Sequence, residues 1–133
     1  MQTVFPVIRY ENASRLIHWL CNRFGFRLIF RVPDQGDYVR HAQLEVQENI
    51  IIVGSVRDDE GLESPLSVGV GTQSICVYIK AVENHFQHSV QSKVEIIESL
   101  TETDFGSLEY HAKDPEGHLW TFSNYHLKLP DIT

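Results

Sequence analysis

Two polar side chains stand out for what they could do together. In the run His41-Ala42-Gln43-Leu44-Glu45-Val46, apolar residues alternate strictly with His41, Gln43 and Glu45, the pattern of a strand with one buried face and one polar face. An imidazole titrates near pH 6.5, roughly, so His41 has the chemistry of a general base. Abstracting a proton from carbon also needs something to hold the resulting enolate, normally a metal. Without that electrophile, His41 and the Gln43 amide read as hydrogen-bonding contacts to a ligand. A metal held by His41 and Gln43 would require a third ligand that the sequence does not identify.

The other groups offer less. No two of the seven histidines have the spacing of a known zinc motif. His85 and His88 are expected on the exposed side of a second helix and His18 beside the core stripe of a first. His111, His118 and His126 are spread along the closing strands. Cys21 and Cys76 form no C-x-x-C pair and have no evident neighbouring base, so a thiol nucleophile is not expected.

The elements that must position these groups recur as two weakly similar halves, offset by about 68 to 69 residues. In the first, Val4 to Arg9 reads as a strand, Asn12 as a helix cap, and Ala13, Ile17, Leu20 and Phe24 as one helical stripe stopped by Gly25. In the second, Ser74 to Ile79 is the strand. Val82, Phe86 and Val90 fall at helical spacing, and Val94 to Ile97 form the next strand. Lys93 stands where the first half has Gly25, and the same left-handed turn there costs about 1 kcal/mol relative to glycine. Each half closes with a hairpin. His41 to Val46 and Asn49 to Val56 flank Gln47-Glu48, while Leu108 to Lys113 and His118 to Tyr125 flank Asp114-Pro115-Glu116-Gly117. The order is strand, helix and three strands, twice, with module one at about 3–57, a linker at about 58–72 and module two at about 73–126. One such unit is too small for a convincing core, so the copies must pack together or against a second chain.

Composition bounds the rest. The chain has 133 residues, 42% of them hydrophobic, as expected of one globular domain. It can bury roughly 65 to 70% of its unfolded surface, so no disulfide is needed for folding. Eleven Lys and Arg against eighteen Asp and Glu give a net charge of -7, which disfavours nucleic acid and anionic membranes as partners. The longest apolar run is Ile50 to Val53, far short of a membrane span. Residues 1–9 show no signal-peptide pattern, and with two isolated cysteines the expected compartment is the cytoplasm.

The duplication, the opening Val7-Ile8-Arg9-Tyr10-Glu11-Asn12-Ala13, the helix end Phe24-Gly25-Phe26, the segment His41-Ala42-Gln43-Leu44 and above all Lys113-Asp114-Pro115-Glu116-Gly117-His118-Leu119-Trp120 resemble the glyoxalase, bleomycin-resistance and extradiol-dioxygenase group, the vicinal oxygen chelate superfamily. The resemblance runs from about Thr3 to Tyr125. It implies an α+β fold: two βαβββ modules forming cupped mixed sheets, helices outside, a ligand cavity inside and usually a symmetric homodimer. It implies little about chemistry, because this scaffold hosts lyases, epimerases, dioxygenases, thiol transferases and metal-free drug-binding proteins.

In the superfamily's enzymes a divalent metal is held by His, Glu or Gln from the first and last strands of each module. The corresponding positions here fall on Phe5, Val53, Ser74 and Thr121, none of which is a first-choice ligand for a hard or borderline divalent ion. Arg9 lies four residues beyond Phe5, on the same strand face, where glyoxalase-like members use an arginine to hold a substrate carboxylate. The plain alternative is a solvated strand-end arginine or a salt bridge to Glu11. Trp120 alternates with Thr121 and is expected to pack under a helix, whereas Tyr78 and Ser123 share the cavity parity of Ser74 and Thr121 and add hydroxyls.

The reading that results is a glyoxalase-like protein that binds a small organic molecule in a cup without a cofactor. Phe5, Val53, Ser74 and Thr121 form the floor, Arg9, His41 and Gln43 the polar anchors, and Tyr78 and Ser123 further contacts. The alternative is a lyase or dioxygenase that uses Zn, Ni, Mn or Fe through an atypical ligand set.

Overall fold

Ala13, Leu16, Ile17, Leu20 and Phe24 recur at the spacing of one helix face, and all five are buried in the computed structural model, which describes residues 1–127. The chain runs β1 (Val7–Tyr10), α1 (Ala13–Phe24), β2 (Arg27–Val32), β3 (His41–Val46), β4 (Asn49–Ser55), α2 (Pro65–Val68), β5 (Ser74–Tyr78), α3 (Val82–Gln91), β6 (Glu95–Glu102), β7 (Leu108–Lys113) and β8 (Leu119–Ser123). Two four-stranded mixed sheets result, ordered β1-β4-β3-β2 and β5-β8-β7-β6. In each, the first strand lies parallel to the last and the other pairs are antiparallel. The fold is α+β, with the duplicated strand-helix-strand order expected from the repeat.

Local signals explain most boundaries. Gly25 ends α1 at φ 78°, and Lys93 takes the same left-handed turn at φ 63° after α3. Gln47 and Glu48 both have positive φ, the geometry that lets a two-residue turn follow the twist of β3 and β4. The first strand begins at Val7 rather than Val4. Pro6 has no N–H to donate, and the Gln2 amide instead pairs with the backbone of Ile50, donating to its O at 2.8 Å and accepting from its N at 2.5 Å. The linker holds the short α2, whose Ser64 caps Leu66 N at 3.2 Å with Pro65 in the first turn.

Two helix expectations are corrected. Asn12 makes no side-chain cap bond; the carboxylate of Glu116 accepts from Glu11 N at 2.7 Å and Asn12 N at 2.8 Å instead. A buried carboxylate shared by two N-terminal amides is a stronger partner for a helix start than a neutral Asn side chain. On α3, Val90 is 45% exposed, and Val82 and Ser89 are the buried positions. His85 faces inward accordingly: it lies between the Tyr110 hydroxyl at 2.5 Å and the Phe24 carbonyl at 2.9 Å. His88 remains exposed and reaches the Asn22 carbonyl at 3.0 Å.

The Asp114-Pro115-Glu116-Gly117 turn fastens the halves together. Asp114 Oδ2 accepts from the Tyr10 hydroxyl and from Trp120 Nε1 at 3.1 Å, while Oδ1 accepts from the backbone of Glu116 and His118. Glu116 also accepts from Ser64 at 2.6 Å. The core crosses the same seam, because Phe24 of α1 packs edge-on against Trp120 and Phe122 of β8. Trp120 is fully buried on that helix-facing side, as its parity predicts.

Candidate functional site

Strand registers decide which side chains share a face. In the first sheet, Arg9 pairs with Gly54, Val7 and Gln43 with Ile52, and Phe30 with Gln43. The face away from the helix therefore carries Val7, Arg9, Phe30, His41, Gln43, Ile52 and the bare backbone of Gly54. His41 Nε2 and Gln43 Nε2 are 3.1 Å apart, and the His41 ring lies 5.9 Å from the 44%-exposed ring of Phe30. An aromatic surface beside an imidazole and an amide can hold the flat body of a ligand and orient its polar edge. Phe30 was not singled out from the sequence. It becomes visible only through the bulge between Leu28 and Phe30, which resets the alternation of β2.

Two expected floor residues are elsewhere. Val53 pairs with Ile8 and Ala42 on the helix-facing side and is fully buried in the core. Its neighbour Ile52 takes the cup face, since adjacent strand residues point to opposite sides. Phe5 lies ahead of β1 and is 42% exposed.

In the second sheet, Cys76 pairs with Thr121, Tyr78 with Ser123, His111 with Thr121, Glu109 with Ser123 and Glu98 with His111. Ser74, Tyr78, Thr121 and Ser123 do share one face, together with three groups not expected there: Cys76, Glu109 and His111. Extending the alternation of β7 outward from buried Tyr110 and Ala112 would have found the last two. His111 is held at both ring nitrogens, Nδ1 by Thr121 Oγ1 at 2.9 Å and Nε2 by Glu109 at 2.8 Å, with Glu98 at 3.8 Å. Burial, and then the Glu109 charge, push the Cys76 thiol up, which keeps it protonated and a poor nucleophile.

Arg9 is neither solvated nor paired with Glu11. It is 9% exposed, and its Nη2 meets Glu60 Oε2 at 2.9 Å; Arg57 binds the same oxygen. Hydrogen bonding from Arg57, opposed by some desolvation and aided by the Arg9 charge, holds the Glu60 carboxyl below its ordinary range. Arg9 lines a cavity of about 330 Å³ together with Val7, Val68, Gln73 and His118. A larger one of about 620 Å³ opens beside the edge strands β1 and β5, lined among others by Pro6, Ile50, Ile75, Cys76 and Tyr78. His41, Gln43, Thr121 and Ser123 line neither cavity. The expected contacts thus fall on two separate faces, one per sheet.

The family model of the glyoxalase/bleomycin resistance protein/dioxygenase superfamily matches residues 3–122. The chain belongs to this superfamily. Among solved structures, TioX from Micromonospora sp. ML1 is 27% identical with a TM-score of 0.77, covering 97% of this chain and 100% of that one. The fosfomycin resistance protein FosX from Listeria monocytogenes is 12% identical with a TM-score of 0.67, covering 92% of each chain. A glyoxalase/bleomycin resistance protein/dioxygenase from Alicyclobacillus acidocaldarius is 13% identical with a TM-score of 0.66, covering 92% of this chain and 89% of that one. No curated protein sequence matches significantly.

The metal used by enzymes of this superfamily finds no fitting donor set at the matching positions. Phe5 and Val53 offer no donor atom and Ser74 and Thr121 only neutral hydroxyls; Ile52, which replaces Val53 on the cup face, is equally inert. Thr121 Oγ1 is already engaged by His111. Among the described residues, no group of three His, Cys, Asp or Glu is placed to hold an ion. No helix among them is long and apolar enough to cross a membrane.

Proposed function

We propose that this member of the glyoxalase/bleomycin resistance superfamily binds a small organic molecule in its cup by direct side-chain contact, without a metal, as a cytoplasmic homodimer that sequesters a drug or metabolite. The observation that carries this reading is the first sheet's cup face. It presents Phe30, Ile52 and Val7 as an apolar bed, with the paired His41 and Gln43 as polar orienters, where a catalytic metal centre would need carboxylates and imidazoles. A partly apolar surface with a few convergent polar groups suits recognition of a small organic ligand. What supports the homodimer is an apolar sheet edge: Leu28 and Ile29 of edge strand β2 are exposed, and a second copy would cover them.

His41 and Gln43 in this role select a ligand by hydrogen bonding and move no proton. The experiment is elemental analysis of protein incubated with Zn, Ni, Mn or Fe and desalted, paired with thermal denaturation for each ion. The expected result is no stoichiometric metal and no shift in midpoint. About one ion per chain, lost in His41→Ala or His111→Ala, would replace this reading with a metal-dependent lyase or dioxygenase using a relocated ligand set.

A further inference from the structure

His111 stands between a hydroxyl and a carboxylate on the second sheet. Thr121 Oγ1 lies 2.9 Å from its Nδ1, and Glu109 Oε2 lies 2.8 Å from its Nε2. The strands fix this arrangement. His111 and Thr121 are cross-strand partners on β7 and β8, and Glu109 precedes His111 by two residues on β7, so all three side chains leave the same face.

The order of the three groups decides where the protons sit. The negative charge of Glu109 beside Nε2 favours the imidazole tautomer that carries its proton there. Nδ1 then keeps its lone pair, and the Thr121 hydroxyl donates to it. A hydroxyl aimed at an imidazole that a carboxylate holds from behind is the constellation by which an alcohol side chain becomes a nucleophile, on whatever fold it occurs. Thr121 is 9% exposed and the His111 side chain 35%, so the hydroxyl is largely shielded from water while the ring stays open to an entering molecule. Tyr78 and Ser123, paired with each other two residues further along, bring hydroxyls to the same face that can donate to an oxyanion. Cys76, the β5 partner of Thr121, is held protonated and does not compete as a nucleophile. Glu98, 3.8 Å from His111 Nε2, adds to the negative charge of Glu109, which repels an anionic substrate.

We propose that Thr121, His111 and Glu109 form an acyl-transfer site that hydrolyses uncharged esters. Thr121 Oγ1 attacks the carbonyl carbon as His111 Nδ1 takes its proton, and the tetrahedral intermediate collapses by breaking the bond to the alcohol, which leaves with that proton. Water, giving a proton to the same Nδ1, then cleaves the acyl-threonine, and the proton returns to Oγ1 as the carboxylic acid departs. One ester and one water become one acid and one alcohol. Thr121 and His111 are catalytic residues here, and Glu109 is a positioning residue that fixes the tautomer. The activity is separate from ligand binding on the first sheet.

The test is hydrolysis of p-nitrophenyl acetate by the Cys76→Ala protein, which has no thiol on this face to acylate, with acid quenching and fragment mass spectrometry of the products. An acetyl group on Thr121 is expected. Adding Thr121→Val or His111→Gln is expected to remove that adduct and to lower kcat/KM by about a hundredfold, whereas Thr121→Ser keeps both. Glu109→Gln is expected to lower kcat about tenfold with KM unchanged. Each variant is checked for folding by circular dichroism, and the adduct map of Cys76→Ala decides the case even where a further substitution prevents folding. Absence of an acetyl group on Thr121, or equal turnover after Thr121→Val, overturns the proposal.

Discussion

The hydroxyl of Tyr10 donates to Oδ2 of Asp114 at 2.5 Å, joining the end of the first strand to the last hairpin turn across 104 residues of sequence. Both residues are buried, and the same turn sends Glu116 to the start of α1. The Asp-Pro-Glu-Gly-His segment therefore works as the clasp between the two modules. Its acidic residues are committed to structure and lie outside the cup.

Glu116→Ala is the direct probe of that clasp. It removes a buried carboxylate from two backbone amides and the Ser64 hydroxyl. The expected loss is about 3 kcal/mol, since hydrogen bonds to a charged partner are the strong ones and the donors are left unsatisfied. Urea denaturation checks this, with the midpoint falling and the slope unchanged. A loss below about 0.5 kcal/mol, the scale of an ordinary surface substitution, would mean that the clasp is dispensable.

Residues with side chains occupy left-handed backbone at Glu48 and Lys93, with φ 66° and 63°. Lys93→Gly and Glu48→Gly are each expected to stabilise the protein by about 1 kcal/mol, because glycine adopts that conformation without steric cost. Thermal denaturation of the single variants measures it. A lower midpoint in both would show that the side chains contribute more than the backbone strain removes.

His85 gives the fold a pH dependence of definite sign. Burial lowers its pKa from the ordinary 6.5, the hydrogen bond to the Phe24 carbonyl opposes this, and the nearby His88 adds to the lowering. As pH falls below that ordinary value, the unfolded chain takes up a proton that the folded chain refuses. Stability from this group is thus full above about pH 6.5 and declines as pH falls. Chemical denaturation between pH 7.5 and 5.5 is expected to show a smaller decline in His85→Gln than in the wild type. Identical slopes would mean that His85 is protonated equally in both states.

The sequence was most legible where one periodicity ruled. His41 to Val46 alternates without interruption, so its face assignment follows from the pattern alone, and Ala42, Leu44 and Val46 are buried as that pattern requires. In Asn49–Ser55 the run Ile50-Ile51-Ile52-Val53 is apolar on both faces, so parity cannot be read from it. Val53 is expected in the cup only from the family's ligand positions, and nothing in this run's pattern reveals that Ile52 takes that face instead. On α3 the spacing Val82, Phe86, Val90 is one valid helical stripe, but the buried face runs through Val82 and Ser89 and places His85 against Tyr110. A polar serine and a histidine carry no hydrophobic signal to mark it. Arg9 was recognised, yet its partner Glu60 stands 51 residues away in a linker with no periodicity, a contact only the fold can make.

The central claim, that the cup holds an organic ligand through its own side chains, is tested most directly by thermal denaturation against a panel of small aromatic acids, amides and amines in buffer containing EDTA, using wild type, Phe30→Ala and His41→Ala. The expected result is a raised midpoint with at least one compound class in the presence of chelator, reduced in both variants, since a ligand that binds only the folded state stabilises it by mass action. Stabilisation that appears only when a divalent metal is supplied and vanishes with EDTA would contradict it.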